Sequence, residues 1–256
     1  MNKVILCADD FGLSHGTNTA ILDLIQQNVL QATSVMVTMP ALETDAPQLK
    51  TFSSQAQIGL HFDLTDGKPL THLPASHHGS LKRLLVLSHL RRLNQAALEA
   101  ELLAQLERFK AVMGRFPDFI DGHQHVHHLP VVRDALLAVY AKWFGDKKPW
   151  VRVSSNGLSF VLRRAFSEPK LAIIAFSGAL SLKRKLKKAG IPHNKHFSGI
   201  YDFSKSAHYA QYFKTFQADV RDDGLMMCHP GKGEVASDAI AKARADEYAF
   251  LRTLSR

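Results

Sequence analysis

Residues 4–13 read VILCADDFGL: an apolar run predicts a buried strand over 4–8, and it ends in two adjacent carboxylates, Asp9 and Asp10, before Phe11-Gly12. A carboxylate at the rim of a core costs free energy unless something compensates it. Two together suggest a bound cation, a shared proton or a solvated turn. Working outward, similar short apolar runs predict further strands at 33–38, 57–62, 118–121, 150–153, 196–200 and 225–228. Between them lie helical stretches at 16–27, 42–51, 94–113, 131–144, 169–189, 207–220 and 237–254. The helix after Asn94 carries Leu98, Leu102, Leu106, Phe109 and Met113 on one stripe. Strands alternating with helices predict parallel strands joined by crossovers. Seven such units without a linker predict an α/β chain folded as one distorted (β/α) barrel of about seven parallel strands, spanning 1–256 as a single domain.

Such barrels gather their chemistry at the C-terminal ends of the strands. The first predicted strand ends in Asp9-Asp10 and the third in GLHFD (59–63). The fourth ends in DGHQHVHH (121–128) and the seventh in CHPG (228–231). Carboxylates and imidazoles thus stand at four strand ends. That donor chemistry suits Zn²⁺ or another borderline divalent ion held by about three protein ligands, with a position left for water or substrate. One aspartate of the first strand would hold the ion and its neighbour would act as base. Because side chains alternate along a strand, both can reach one site only where the strand gives way to a loop. Each feature alone has a plainer reading: a solvated Asp-Asp turn, a hydrogen-bonded core histidine at 61, a His-rich loop, a turn histidine at 229. It is their combination that points to a metal centre.

The same residues carry a resemblance. ADDFGL (8–13), GLHFDLTDGKPL (59–70), DGHQHVHHLP (121–130), HFSGIYD (196–202) and CHPG (228–231) occur in the order found in the YdjC/ChbG (ChbG/HpnK) carbohydrate deacetylases, which this chain resembles over nearly its whole length. The resemblance implies a barrel related to the NodB-type deacetylases. It also implies metal-dependent hydrolysis of an N-acetyl group on an amino sugar, chitooligosaccharide-like or lipid-linked. Carried over by position, Asp9 is the general base and His229 the acid for the leaving amine. Asp10, His61 and His125 are the ligands of one divalent ion, zinc or magnesium. His123 and His127 flank the assigned ligand and are candidates for supporting it. WVRVSSN (150–156) departs from the family pattern in lacking a proline and acidic residues, so Arg152 is open between orienting Asp9, contacting substrate and a structural salt bridge. The competing functions are a metal phosphoesterase, which would need more carboxylates for a second ion, and a non-catalytic sugar- or membrane-binding barrel.

Composition sets further expectations. The chain carries +9 formal charge, and nine Lys/Arg against one acid between residues 163 and 195 supply +8 of it. That segment reads as a barrel helix with a basic end, as an amphipathic surface for anionic lipid, or, without any recognition motif, as a nucleic-acid patch, the last being set aside. Two cysteines, Cys7 and Cys228, form no disulfide framework. The N-terminus has no signal-peptide pattern and no apolar run reaches membrane-spanning length. The expectation is a cytoplasmic enzyme, peripheral to a membrane if the basic segment binds one, acting on an amino sugar through loops 64–80 and 190–204, with a homodimer contact as a further expectation.

Overall fold

The computed structural model describes residues 4–166, 168–220, 223–233 and 238–254. In chain order the strands are β1 (Ile5–Phe11), β2 (Ala32–Val35), β3 (Gln57–Phe62), β4 (Phe119–Gly122), β5 (Trp150–Val151), β6 (His196–Ser198) and β7 (Gly224–Cys228). The helices are α1 (His15–Gln26), α2 (Leu42–Thr51), α3 (Leu81–His89), α4 (Gln95–Met113), α5 (Val132–Trp143), α6 (Leu158–Arg164), α7 (Pro169–Ile174), α8 (Leu180–Ala189), α9 (Tyr209–Asp219) and α10 (Ala241–Leu251). The strands are parallel and pair in the order β5-β4-β3-β2-β1-β7-β6. The expected seven-stranded α/β arrangement is met. The pairing order ends on β5 and β6, and beyond β5 an isolated parallel bridge joins Val151 to His193.

All seven predicted strands form, and the differences are local. The strand predicted at 33–38 stops at Val35, and β5 stops at Val151. The helix predicted at 169–189 is broken: α7 and α8 flank a π-type turn at Ala175–Ala179, where Gly178 has φ 159°. Helices α3 and α6 lie in stretches with no predicted helix. The predicted helix at 237–254 begins on a position outside the described residues and is helical at Ala241–Leu251.

The chain forms two compact units. The first comprises Met1–Val35, Pro40–Gly59 and Asn194–Arg256, and the second Met36–Met39 and Leu60–His193. In the first, β1 pairs with β2 and with β7, and β7 with β6. Gly199 lets β6 leave the sheet against β7: a Cβ there would lie 2.3 Å from the Met227 carbonyl oxygen, and its φ of +111° favours glycine. In the second unit β3 pairs with β4 and β4 with β5. Helix α4 begins at Asn94, whose Oδ1 accepts from Ala97 N at 3.2 Å, and ends at Gly114 in the left-handed region. Its predicted stripe Leu98, Leu102, Leu106, Phe109 and Met113 is buried, and so are two polar residues, Glu101 and Gln105. Glu101 accepts the Leu70 and Thr71 amides at 3.0 and 2.9 Å, while Gln105 exchanges hydrogen bonds with the backbone of Asp63. Buried polar groups are stable only when bonded in this way, and here the bonding fixes the loop after β3 to the α4 face.

Candidate functional site

In the first unit the signature pair sits on β1 at a break in its ladder. Ala8 pairs with Thr33 but Phe11 with Val35, so β1 holds one residue more than β2 across this interval. Asp10 takes φ +71°. A bulge of this kind re-aims side chains and suspends the two-residue alternation. The aspartates therefore need no loop to escape strict alternation: the strand runs on to Phe11, and the bulge does what the sequence reading assigned to a strand end. Beyond it, Asn18 ties down the turn: its Oδ1 accepts from Gly12 N at 2.6 Å and its Nδ2 donates to Asp45 at 2.8 Å.

Both carboxylates are buried. Asp9 Oδ1 accepts from Ser34 Oγ at 3.2 Å, and its Oδ2 lies 4.0 Å from His229 Nε2. Asp10 Oδ2 accepts from the Arg244 guanidinium at 2.7 Å, and Arg244 Nε donates to Asp238 at 2.5 Å. Burial opposes the Arg244 charge, but Asp10 and Asp238 outweigh it and hold its pKa above the ordinary value. His229 donates its backbone N–H to Glu247 Oε2 at 2.6 Å and meets Phe203 edge-on, with ring centroids 5.3 Å apart. Glu247 also accepts from Tyr201 Oη at 2.7 Å. Complete burial pushes its carboxyl up to about 7, a shift the two donors and Arg244 oppose and Asp9 reinforces.

In the second unit His61, the penultimate residue of β3, stands beside Asp121 of β4, an aligned pair in the ladder. His61 Nδ1 lies 2.6 Å from Asp121 Oδ1, and Arg152 Nη2 forms an ion pair with Asp121 Oδ2 at 2.7 Å. All three side chains are buried. Of the open readings for Arg152, the structure places it in this salt bridge. With its N–H directed at a carboxylate, an imidazole presents the lone pair of its other nitrogen, Nε2, and becomes more basic. That is the arrangement found behind metal-ligating histidines.

The His-rich run is a 3₁₀-type turn, His123–His128, in which Gln124 and His125 both have positive φ, 50° and 61°. Two successive non-glycine residues there cost about 1–2 kcal/mol each, a local strain of the sort that collects at functional sites. His125 Nδ1 lies 3.1 Å from Ser154 Oγ. His123 meets His61, their rings edge to face with centroids 5.4 Å apart, and its Nε2 is 3.0 Å from Asp66. Asp66 is placed by Asp63, which accepts the amides of Thr65, Asp66 and Gly67 at 2.8, 3.1 and 2.6 Å and the Thr38 hydroxyl at 2.7 Å. Burial would raise the Asp63 pKa, yet the His123 ring and these donors bring it below the usual value. His127 Nε2 donates to the Arg152 carbonyl at 3.0 Å, and His128 Nε2 accepts from Ser154 N at 3.3 Å. Complete burial, then the neighbouring histidines, push both far below the ordinary histidine pKa, so they are neutral. His127 and His128 thus hold the 150–154 segment against the turn.

Asp121, Ser154, Arg244 and Glu247 are among the residues that had no predicted role. Asp121 lay inside the quoted DGHQHVHH motif, and its place at a strand end beside His61 was the available signal. Ser154, Arg244 and Glu247 reach the site residues only through tertiary packing. Within the second unit the imidazoles, one of them backed by a buried aspartate, are donors of the kind that suit a divalent ion.

Comparison with known proteins bears on the family and the fold. The chain shares 37% identity over 146 residues with the chitooligosaccharide deacetylases of Yersinia pestis (strain Pestoides F) and Yersinia pseudotuberculosis serotype O:1b (strain IP 31758). The match spans 56% of this chain and 57% of theirs, little more than half the length of those relatives. A crystal structure from Enterococcus faecalis V583, described as a candidate cellobiose-phosphate cleavage protein, shares the fold with a TM-score of 0.72 at 18% identity, over 98% of this chain and 91% of that one. The model of the YdjC-like proteins matches residues 3–254, and the chain belongs to that family.

Proposed function

We propose that this protein is a metal-dependent carbohydrate deacetylase that hydrolyses the N-acetyl group of an acetamido sugar, chitooligosaccharide-like or lipid-linked. The observation that carries the reading is the buried Arg152–Asp121–His61 series, which gives an imidazole the support a metal ligand needs. Family membership and the name of the Yersinia relatives support the substrate class. In this reading Asp10, His61 and His125 hold one divalent ion, with zinc favoured over magnesium because two of three donors are imidazoles. When bound, the ion acidifies water and polarises the acyl oxygen.

The chain's own residues do the proton work. Asp9 accepts a proton from the attacking water, and Ser34 holds its Oδ1 in place. His229 gives a proton to the amine nitrogen as the C–N bond breaks. A neutral amide nitrogen is otherwise a poor leaving group. Asp9 and His229 are 4.0 Å apart, near enough for the proton gained by one to restore the other between turnovers. Glu247 and Phe203 fix the His229 backbone and ring. The loop after β3, held by Glu101 and Gln105, is the proposed sugar-contacting wall. The single-domain, cytoplasmic setting expected from the sequence is part of this proposal, and Cys7 and Cys228 are buried in the first unit.

One alternative ligand has its own support, because the His123 ring meets the His61 ring edge to face. Acetate release from N-acetylglucosamine oligomers, measured with metal content for His123→Ala and His125→Ala, tests the reading. Loss of bound metal in His125→Ala supports the assignment, and loss only in His123→Ala moves the third ligand by two residues. No acetate release by the metal-loaded wild type overturns the proposal.

A further inference from the structure

The basic segment is not used by this chemistry, and its structure gives it a face of its own. Helices α6 and α7 pack against each other through Val161, Leu171 and Ala175, with Phe160, Ala172 and Leu180 around them. On the outside of α6, Leu158 and Leu162 fall at i and i+4, and Phe166 follows in the turn just beyond the helix; on α7 and the π-type turn, Ile173 and Phe176 follow at i, i+3. All five are more than half exposed, and Phe166 is fully so. They are half of the large apolar residues exposed among the described residues. Single exposed apolar residues need no explanation, but two adjoining stripes on one helical pair do. Cations lie on the same helices: Arg163 and Lys170 are exposed, and the lone acid, Glu168, takes Arg164 at 2.5 Å. Further along, Arg184, Lys187 and Lys188 are exposed on α8.

We infer that the α6–α7 hairpin docks on an anionic lipid bilayer, inserting Leu162, Phe166, Ile173 and Phe176 at the headgroup level. Charge complementarity selects this occupant. Nine cations against one acid between residues 163 and 195 suit a negatively charged surface, and a second copy of the chain would bring the same positive charge to the contact. Apolar side chains ringed by Lys and Arg describe an interfacial helix. No helix among the described residues is long and apolar enough to cross a membrane, so the contact is peripheral. The π-type turn that follows α7 touches the His-rich turn. Gly178, in the π-type turn, packs so closely that a Cβ there would lie 1.9 Å from the His128 carbonyl oxygen, which also accepts from Arg133 at 3.2 Å. Docking would therefore bear on the strand-end loop that carries His125.

Vesicle co-sedimentation of the full chain tests this, with vesicles of phosphatidylcholine alone and of phosphatidylcholine with 30% phosphatidylglycerol in roughly 50 and 500 mM salt. The expected result is partition onto anionic vesicles at low salt, at least tenfold weaker on neutral ones or at high salt. Lys170→Gln should weaken it about fivefold. Leu162→Gln/Phe166→Gln should weaken it by more than tenfold while melting like the wild type. Should that pair fail to fold, Ile173→Gln/Phe176→Gln on the second stripe takes its place. No partition onto anionic vesicles at low salt, equal partition onto both vesicles, or partition unchanged in both apolar variants overturns the inference. So does self-association of the protein alone that is abolished by Phe166→Gln in a chain that ignores vesicles, because the face then belongs to a second copy.

Discussion

Asp121→Asn separates the two tasks that the structure gives this side chain. Asp121 backs His61 at 2.6 Å and neutralises Arg152 at 2.7 Å, with all three buried. Asparagine keeps the shape and removes the charge. A buried guanidinium left without its counter-ion costs about 3–5 kcal/mol, and in a chain of this size each kcal/mol shifts the midpoint by roughly 2–4 °C, so a fall of about 10 °C is expected. Separately, His61 loses the carboxylate that fixes its tautomer and raises its basicity, which typically costs about 10–100-fold in metal affinity. Adding Arg152→Met removes the stranded charge. Asp121→Asn/Arg152→Met should regain most of the stability and none of the affinity. Thermal unfolding reads the first quantity, and competition of the stripped protein against a chromophoric chelator for zinc reads the second. Wild-type zinc affinity in Asp121→Asn, or recovery of affinity together with stability in the double variant, would refute the reasoning.

His229→Ala should lower kcat about 10²–10⁴-fold on an N-acetyl sugar and far less on an aryl acetate, whose leaving group needs no proton; equal losses on both would remove His229 as the acid. Asp9→Asn should keep the ion and lose turnover, whereas Asp10→Asn should lose the ion and also leave the buried Arg244 with Asp238 as its remaining carboxylate, lowering the melting midpoint; metal analysis and unfolding of the two variants check this, and the opposite metal pattern reverses the roles. Glu247 should tie stability to pH. Its pKa is raised from 4.5 to about 7, so the folded state holds a proton that the unfolded chain has released. The stabilising contribution is complete below about pH 4.5 and is lost as pH rises through about 7, roughly 3 kcal/mol in all. Glu247→Gln removes that slope, so its stability relative to the wild type should improve by about that amount from pH 4.5 to 8 in urea unfolding; an unchanged difference contradicts the shift.

The alternation of short apolar runs with amphipathic stretches made the strands legible, because burial on both faces of a parallel sheet leaves a continuous apolar signature. The strand ends were legible for a chemical reason: carboxylates and imidazoles are too polar to sit there without a task. Local departures from regular geometry were not legible. VILCADDF carries no mark of the bulge that re-aims Asp9 and Asp10, since Asp tolerates a left-handed backbone without requiring it. LAIIAFSGAL (171–180) reads as one helix, and only the close packing of Gly178 on His128 explains the turn within it. Glu247 and Arg244 lie in KARADEYAFL (242–251), an ordinary surface-helix composition, and their burial arises from how α10 packs. Arg152 could be narrowed to a few roles by its type, and its partner, Asp121 on the neighbouring strand, emerged from strand pairing that sequence spacing does not encode.

The most direct measurement is acetate release from an N-acetylglucosamine oligomer by the metal-stripped protein, before and after one equivalent of zinc or magnesium, beside His61→Ala. Activity that is absent without the ion, returns at a one-to-one ratio and fails to return in His61→Ala is the predicted result. Full activity in excess chelator, or wild-type recovery in His61→Ala, would contradict it.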